Sequence, residues 1–209
     1  MAAKIFTSSI AKKLDMALTG MILYGFLLGH LMGNTLLLHD DGGQSFNAYS
    51  EFLVTNPMLV PVELFLVAIL LLHVYLAIRV SLENKRARPV GYKQTQSLGG
   101  RSWASYNMIY SGIAIFIFLV FHLLTFKYGD RGDGTLYDLV CATLQKPGYL
   151  VWYVVSMIIL GFHLWHAFQS ALQTLSIGGP RFKSLGLLLC LVVSVGFGFL
   201  PLYLGVLSK

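Results

Sequence analysis

Charge is what this sequence has least of. Only 11% of its 209 residues are Asp, Glu, Lys or Arg, against about 25% in an ordinary soluble domain. With 56% hydrophobic residues and a mean hydropathy of +0.70, a water-soluble fold would expose apolar patches far beyond what monomers tolerate. Cysteine is nearly absent too. Cys141 and Cys190 form neither CxxC nor CxxCH, which argues against covalent haem attachment and against a zinc or iron–sulfur site made by this chain alone. Cys190 sits within an apolar run and Cys141 in a polar-flanked stretch, so the two are not expected to form a disulfide. The net charge is +6, but no cluster of Lys and Arg marks a polar nucleic-acid-binding face. Neither GxGxxG after a strand nor a Walker pattern occurs, and no nucleophile–base pair stands out.

What the chain has instead is long apolar runs. A transmembrane helix needs about 20 predominantly apolar residues. Five segments qualify, at 14–38, 59–80, 104–126, 149–175 and 184–207, with DDGGQ, RARPVGY, LGGR, GDRGDG and IGGPR as connectors carrying turn signals. The expectation is an all-α integral membrane bundle of five transmembrane helices, with residues 1–209 forming one domain. Pro201 should kink the last helix. The first span is too long for a signal peptide, carries Asp15 near its start and lacks a clear small-residue cleavage site, so it reads as a mature helix.

Basic residues orient the bundle. Lys4, Lys12 and Lys13 precede span one. Arg79 at the end of span two and Lys85, Arg86, Arg88, Lys93 and Arg101 after it lie before span three, and Arg181 and Lys183 between spans four and five. The opposite side has Lys127, Arg131, Lys146 and Lys209, with most of the acids (Asp40, Asp41, Glu51, Asp130, Asp133, Asp138). The N-terminus is therefore expected to be cytoplasmic and the C-terminus external.

Ionisable residues inside spans are rare and usually functional. His30, His73 and His122 fall in spans one to three, His163 and His166 in span four, and none in span five. At about 1.5 Å of rise per residue, His30 lies about 24 Å and His122 about 27 Å from the cytoplasmic ends of their spans, and His73 and His166 about 9 and 12 Å. Two levels about 15 Å apart result, each with two imidazoles. Zinc or copper would want three or four ligands at one depth. Two facing imidazoles suit bis-histidine ligation of haem b, from His30 and His122 at the outer level and His73 and His166 at the inner. By the same count His163 lies about 16 Å deep, between the levels. It stands as the alternative ligand or a haem contact. Gly25, Gly29 and Gly33 form a GxxxGxxxG stripe beside His30, which serves close helix packing or leaves room for a porphyrin.

Two stacked haems across a bilayer make an electron wire, and a lipid quinone is the natural reactant inside the membrane. Partner subunits would dock on the basic cytoplasmic loops. TSSIAKKLDMALTG at 7–20, FNAYSEFL at 46–53, SLENKRARPVGY at 81–92 and HAFQSALQTLSI at 166–177 resemble the dihaem cytochrome b anchor subunit of succinate dehydrogenases and fumarate reductases, over about residues 5 to 180. The resemblance implies a bacterial cytoplasmic-membrane subunit bound to an iron–sulfur subunit and an FAD-carrying flavoprotein. The flavoprotein performs the succinate/fumarate chemistry, and this chain relays electrons to or from a quinone, typically menaquinone. It assigns the axial ligands to His30, His73, His122 and the histidine of HAFQS, His166.

Quinone chemistry moves protons with electrons. Glu51, in the external loop, and Glu63, at the outer start of span two, are the carboxylates on the outer-haem side. Quinone reaction there would couple turnover to the membrane potential, about 2.3 kcal/mol per electron per 100 mV for complete transfer. Lys13, Arg79, Arg101 and Ser170 are the candidate partners for haem propionates, beside the simpler reading that the basic residues serve only topology. Three rivals remain. A transporter would often show internal repeats and broken helices near the midplane, and five spans with no evident inverted repeat do not suggest one. A haem-free structural anchor leaves the layered histidines unused. A cytochrome b subunit of a hydrogenase or formate dehydrogenase keeps the haems and changes the partner, and only the family resemblance argues against it.

Overall fold

The structure is a computed structural model that describes residues 8–86 and 103–207. It is 87% helical, with no strand among the described residues. Helix α1 (Ser9–Asn34) opens with the Ser8 hydroxyl accepting from the Ala11 amide at 3.1 Å, a standard N-cap. It runs into a 3-10 turn, Thr35–Leu38. Helix α2 (Gln44–Thr55) is short; α3 (Leu59–Arg86) crosses back, and α4 (Trp103–His122) returns, closed by a π turn at Leu123–Lys127. A second short helix, α5 (Leu136–Leu144), precedes α6 (Pro147–Thr174) and α7 (Pro180–Leu202), the last ending in a π turn at Tyr203–Leu207 beyond Pro201. Five of these helices, α1, α3, α4, α6 and α7, are long and apolar enough to cross a membrane, as the composition predicts. Cys141 and Cys190 are both free.

Two departures from the sequence reading bear on the site. FNAYSEFL, expected in a loop, lies in α2, an amphipathic helix on the acidic end of the bundle. Helix α3 continues to Arg86, six residues past the expected span end, because SLENKR carries no helix breaker and the charged turns extend beyond the apolar run.

Around the bundle, α1 packs on α3, α1 on α6, and α4 on α6, while α3 and α4 meet only sparsely among the described residues. Helices α1 and α4 therefore face each other across one diagonal, and α3 and α6 across the other. Helix α7 lies outside this square against α6 and α1. Apolar burial does not drive helix association in lipid, so close backbone approach at small residues takes over. A Cβ on Gly161 would meet the Ser194 side chain at 2.8 Å, one on Gly186 the Phe168 ring at 2.4 Å, and one on Gly196 Leu31 at 2.8 Å. Helices α2 and α5 cap the acidic end, where Leu37, Phe46, Val140, Leu144, Leu200 and Leu204 form a buried cluster. Gly43, at φ +83°, makes the turn into α2, and its missing side chain admits the Tyr137 ring. Outward, large apolar side chains such as Leu64, Val67, Val151 and Val195 are exposed, as a lipid-facing surface requires.

Candidate functional site

The His30 and His122 rings meet across the α1–α4 diagonal with centroids 5.9 Å apart and planes at 87°. Phe26 stacks on His30 at 5.4 Å and Phe118 leans on His122 at 5.7 Å. The Tyr153 hydroxyl and His122 Nδ1 are 3.2 Å apart, while the Asn34 amide nitrogen approaches the His30 ring at 3.4 Å. The π turn of α4 begins at the residue after His122, and such turns often mark functional positions.

The second level is built from α3 and α6. His73 Nδ1 lies 3.0 Å from Thr19 Oγ1 of α1, and His163 Nδ1 lies 3.0 Å from Ser111 Oγ of α4. Thr19 stands eleven residues before His30, and Ser111 eleven before His122, about 16 Å down each helix. His73 and His163 are thus level with each other. The sequence count put His166 at the depth of His73 and His163 between the levels. That count took residue 80 as the end of span two. Measured from Arg86, His73 is about 20 Å deep, nearer to His163 at about 16 Å from Thr174 than to His166 at about 12 Å.

These placements expose a repeat. TGMILYGFLLGH at 19–30 and SGIAIFIFLVFH at 111–122 carry hydroxyl, glycine, phenylalanine and histidine in the same places. Gly20 sits against His73 Cε1 and Gly112 against His163 Cε1. The α1–α3 hairpin matches α4–α6, and both hairpins start from the same end, so the repeat is parallel rather than inverted. His163 is the counterpart of His73. His166, three residues on, corresponds to the buried Leu76. It is half-buried and has no hydrogen-bond partner among the described residues.

The other expected residues scatter. Glu51 is exposed on α2, and Glu63 is ion-paired with Lys127 across α3 and α4. Arg79 pairs with Glu83 at 3.4 Å and lies over the Tyr75 ring. Lys13 and Ser170 are exposed towards the basic end, and Arg101 lies outside the described residues. Sequence reasoning missed Thr19, Ser111 and Tyr153, and also Lys12, whose ammonium holds Glu83 at 2.6 Å and ties α1 to α3. The eleven-residue offset, repeated in α1 and α4, was the signal available for the two hydroxyls.

The histidines stand in pairs at two levels, His30 against His122 and His73 level with His163. No group of three His, Cys, Asp or Glu that could hold a metal ion gathers among the described residues. A Cβ on Gly25 or Gly29 would meet nothing within 4 Å, so that part of the glycine stripe opens on space instead of a neighbouring helix. Gly33 differs, with the Tyr49 ring at 2.5 Å from where its Cβ would stand. The Tyr24 hydroxyl, on α1 between the two levels, is buried without a hydrogen-bond partner among the described residues, and such groups need one.

Comparison with known protein families, curated proteins and solved structures returns no match. What the fold defines is a multi-pass helical membrane protein.

Proposed function

We propose that this chain is the dihaem cytochrome b anchor of a succinate:quinone oxidoreductase, a succinate dehydrogenase or quinol:fumarate reductase of the bacterial cytoplasmic membrane. The observation that carries the reading is the two histidine pairs, His30/His122 and His73/His163, one on each diagonal of one four-helix square. Two non-covalent haems b bound there would pass single electrons across the membrane. The partner assignment rests on the family resemblance. An iron–sulfur subunit docks on the basic, cytoplasmic end, and a flavoprotein beyond it interconverts succinate and fumarate. The chain by itself should oxidise no succinate; its own reactant is a quinone, by resemblance menaquinone.

His163 replaces His166 as the fourth axial ligand. It is level with His73, occupies the equivalent place in the repeat, and has one ring nitrogen held by Ser111 so that the other can face a metal. At the acidic end, Glu51, exposed on α2, is the carboxylate proposed to exchange protons with quinone. Glu63 already has its charge balanced by Lys127 and takes second place. At the basic end Lys13 is the candidate cation for a haem carboxylate, since Arg79 is engaged by Glu83.

The test is a reduced-minus-oxidised spectrum of the complex, with haem per polypeptide measured as the pyridine haemochrome. About two haems b are expected in the wild type, about one in His163→Ala and about two in His166→Ala. Loss of a haem in His166→Ala with retention in His163→Ala would return the ligand to His166. A haem-free wild-type complex, from cells supplied with haem, would leave a bare structural anchor. Complexes carrying hydrogenase or formate dehydrogenase subunits instead would keep the cytochrome and discard the succinate assignment.

A further inference from the structure

Thr19 and Ser111 each have only one hydroxyl proton. Thr19 Oγ1 lies 2.8 Å from the Asp15 carbonyl and 3.1 Å from that of Met16; Ser111 Oγ lies 3.0 Å from the Met108 carbonyl. Carbonyl oxygens only accept, so each hydroxyl donates back into its own helix, as Ser and Thr in helices often do. Its oxygen lone pair is then what faces the imidazole. The hydrogen bond at 3.0 Å in each case runs from the ring Nδ1–H to the hydroxyl oxygen. Both rings are thereby fixed in the tautomer with Nδ1 protonated and the Nε2 lone pair free.

We propose that Thr19 and Ser111 are a matched pair of positioning residues that prepare His73 and His163 to bind one and the same iron. The proposal rests on the haem reading above. An axial imidazole whose outer N–H is held by an acceptor keeps its rotation and tautomer and donates more electron density to the metal; losing the acceptor typically costs about 10- to 100-fold in metal affinity. Greater donation favours the ferric over the ferrous state, so each hydroxyl lowers the reduction potential of that centre. The outer pair has no such arrangement. His122 meets a tyrosine hydroxyl with no backbone carbonyl fixing the direction of its proton among the described residues, and His30 meets an amide nitrogen, a donor. The chain thus builds its two centres unequal, with the hydroxyl clamps on the one nearer the basic end.

The experiment is a potentiometric titration of the intact complex, followed optically and by electron paramagnetic resonance of the low-spin ferric signals. Thr19→Val, which keeps the shape and removes the hydroxyl, and Ser111→Ala should each raise the midpoint potential of the same one of two haems and shift its ferric signal. The other haem should stay where it is, and Thr19→Ser should match the wild type. Unchanged potentials in both variants, or shifts falling on different haems, would overturn the proposal. If Thr19→Val loses a haem outright, Thr19→Ser decides. Retention there supports the hydroxyl's role, and loss there assigns Thr19 to packing and overturns it. A wild-type complex without haem would fail at the earlier step and refute the functional reading itself.

Discussion

Gly20 and Gly112 occupy equivalent places in the two hairpins, yet they should answer differently to the same substitution. A Cβ on Gly20 would stand 3.2 Å from His73 Cε1 and 3.7 Å from its Nδ1; one on Gly112 would stand 3.5 Å from His163 Cε1. Ordinary carbon contacts lie at about 3.5–4.0 Å, so alanine fits at 112 and crowds at 20. Alanine gains about 1 kcal/mol over glycine in a helix interior. Overpacking costs about 1–3 kcal/mol, and the His73 ring cannot slide away without stretching its bond to Thr19. Gly112→Ala should therefore be about 1 kcal/mol more stable than the wild type, and Gly20→Ala unchanged to about 2 kcal/mol less stable. Unfolding of the full chain in detergent micelles, followed by circular dichroism, measures both. If Gly20→Ala proves as stable as Gly112→Ala, the His73 ring does not rest on Gly20, and the packing of the inner level is wrong.

Two further outcomes follow from the acidic end. The Glu63–Lys127 pair joins α3 to α4, but its side chains are 36% and 35% exposed, so a double-mutant cycle with Glu63→Gln and Lys127→Met should give a coupling under about 1 kcal/mol, shrinking with added salt. Coupling that is large and indifferent to salt would mean that lipid or protein seals the pair from water. At the start of α5, hydrogen bonds from the Thr135 hydroxyl and amide hold the Asp138 carboxyl below its ordinary value. A depressed folded pKa stabilises above the unfolded value, about 3.9, and that stability disappears as pH falls through the folded one. Amide exchange in the first turn of α5, corrected for intrinsic rates, should show protection at pH 6 that fades below pH 4, and Thr135→Ala should remove the contrast.

The spans were legible because composition alone specifies them. A run of apolar residues long enough to cross a bilayer has no other stable use. Helix ends were less so, since polar residues such as those of 81–86 continue a helix as readily as apolar ones, and hydropathy registers only where the apolar run stops. That error carried directly into the site. Six residues of α3 beyond the apolar run moved His73 about 9 Å deeper relative to the helix end and exchanged His166 for His163 as its level partner. Helix α2 was missed because FNAYSEFL gives barely two turns of periodicity. The hydroxyls of Thr19 and Ser111 carried no individual signal, as Ser and Thr are common in membrane helices, satisfied by their own backbone.

The repeat gives a second way to match the histidines, independent of depth. Depth compares helices that run in opposite directions and so depends on where each is judged to end. The internal match compares α1 with α4, and α3 with α6, which run the same way, and needs no estimate of helix ends. Two like hairpins packed face to face place equivalent residues across a common axis. His30 meets its counterpart His122 there, and His73 lies level with its counterpart His163. A flat group bound between two such residues experiences the same helix from both sides. The match relates the two sides of one level; the levels themselves already differ in the hydroxyls beside His73 and His163, and residues that break the match make the two sides of a level unequal. Tyr24 is one, paired in the repeat with Phe116, its buried hydroxyl still unpartnered among the described residues. His166 against Leu76 is another. These mismatches are where the two halves of the repeat differ.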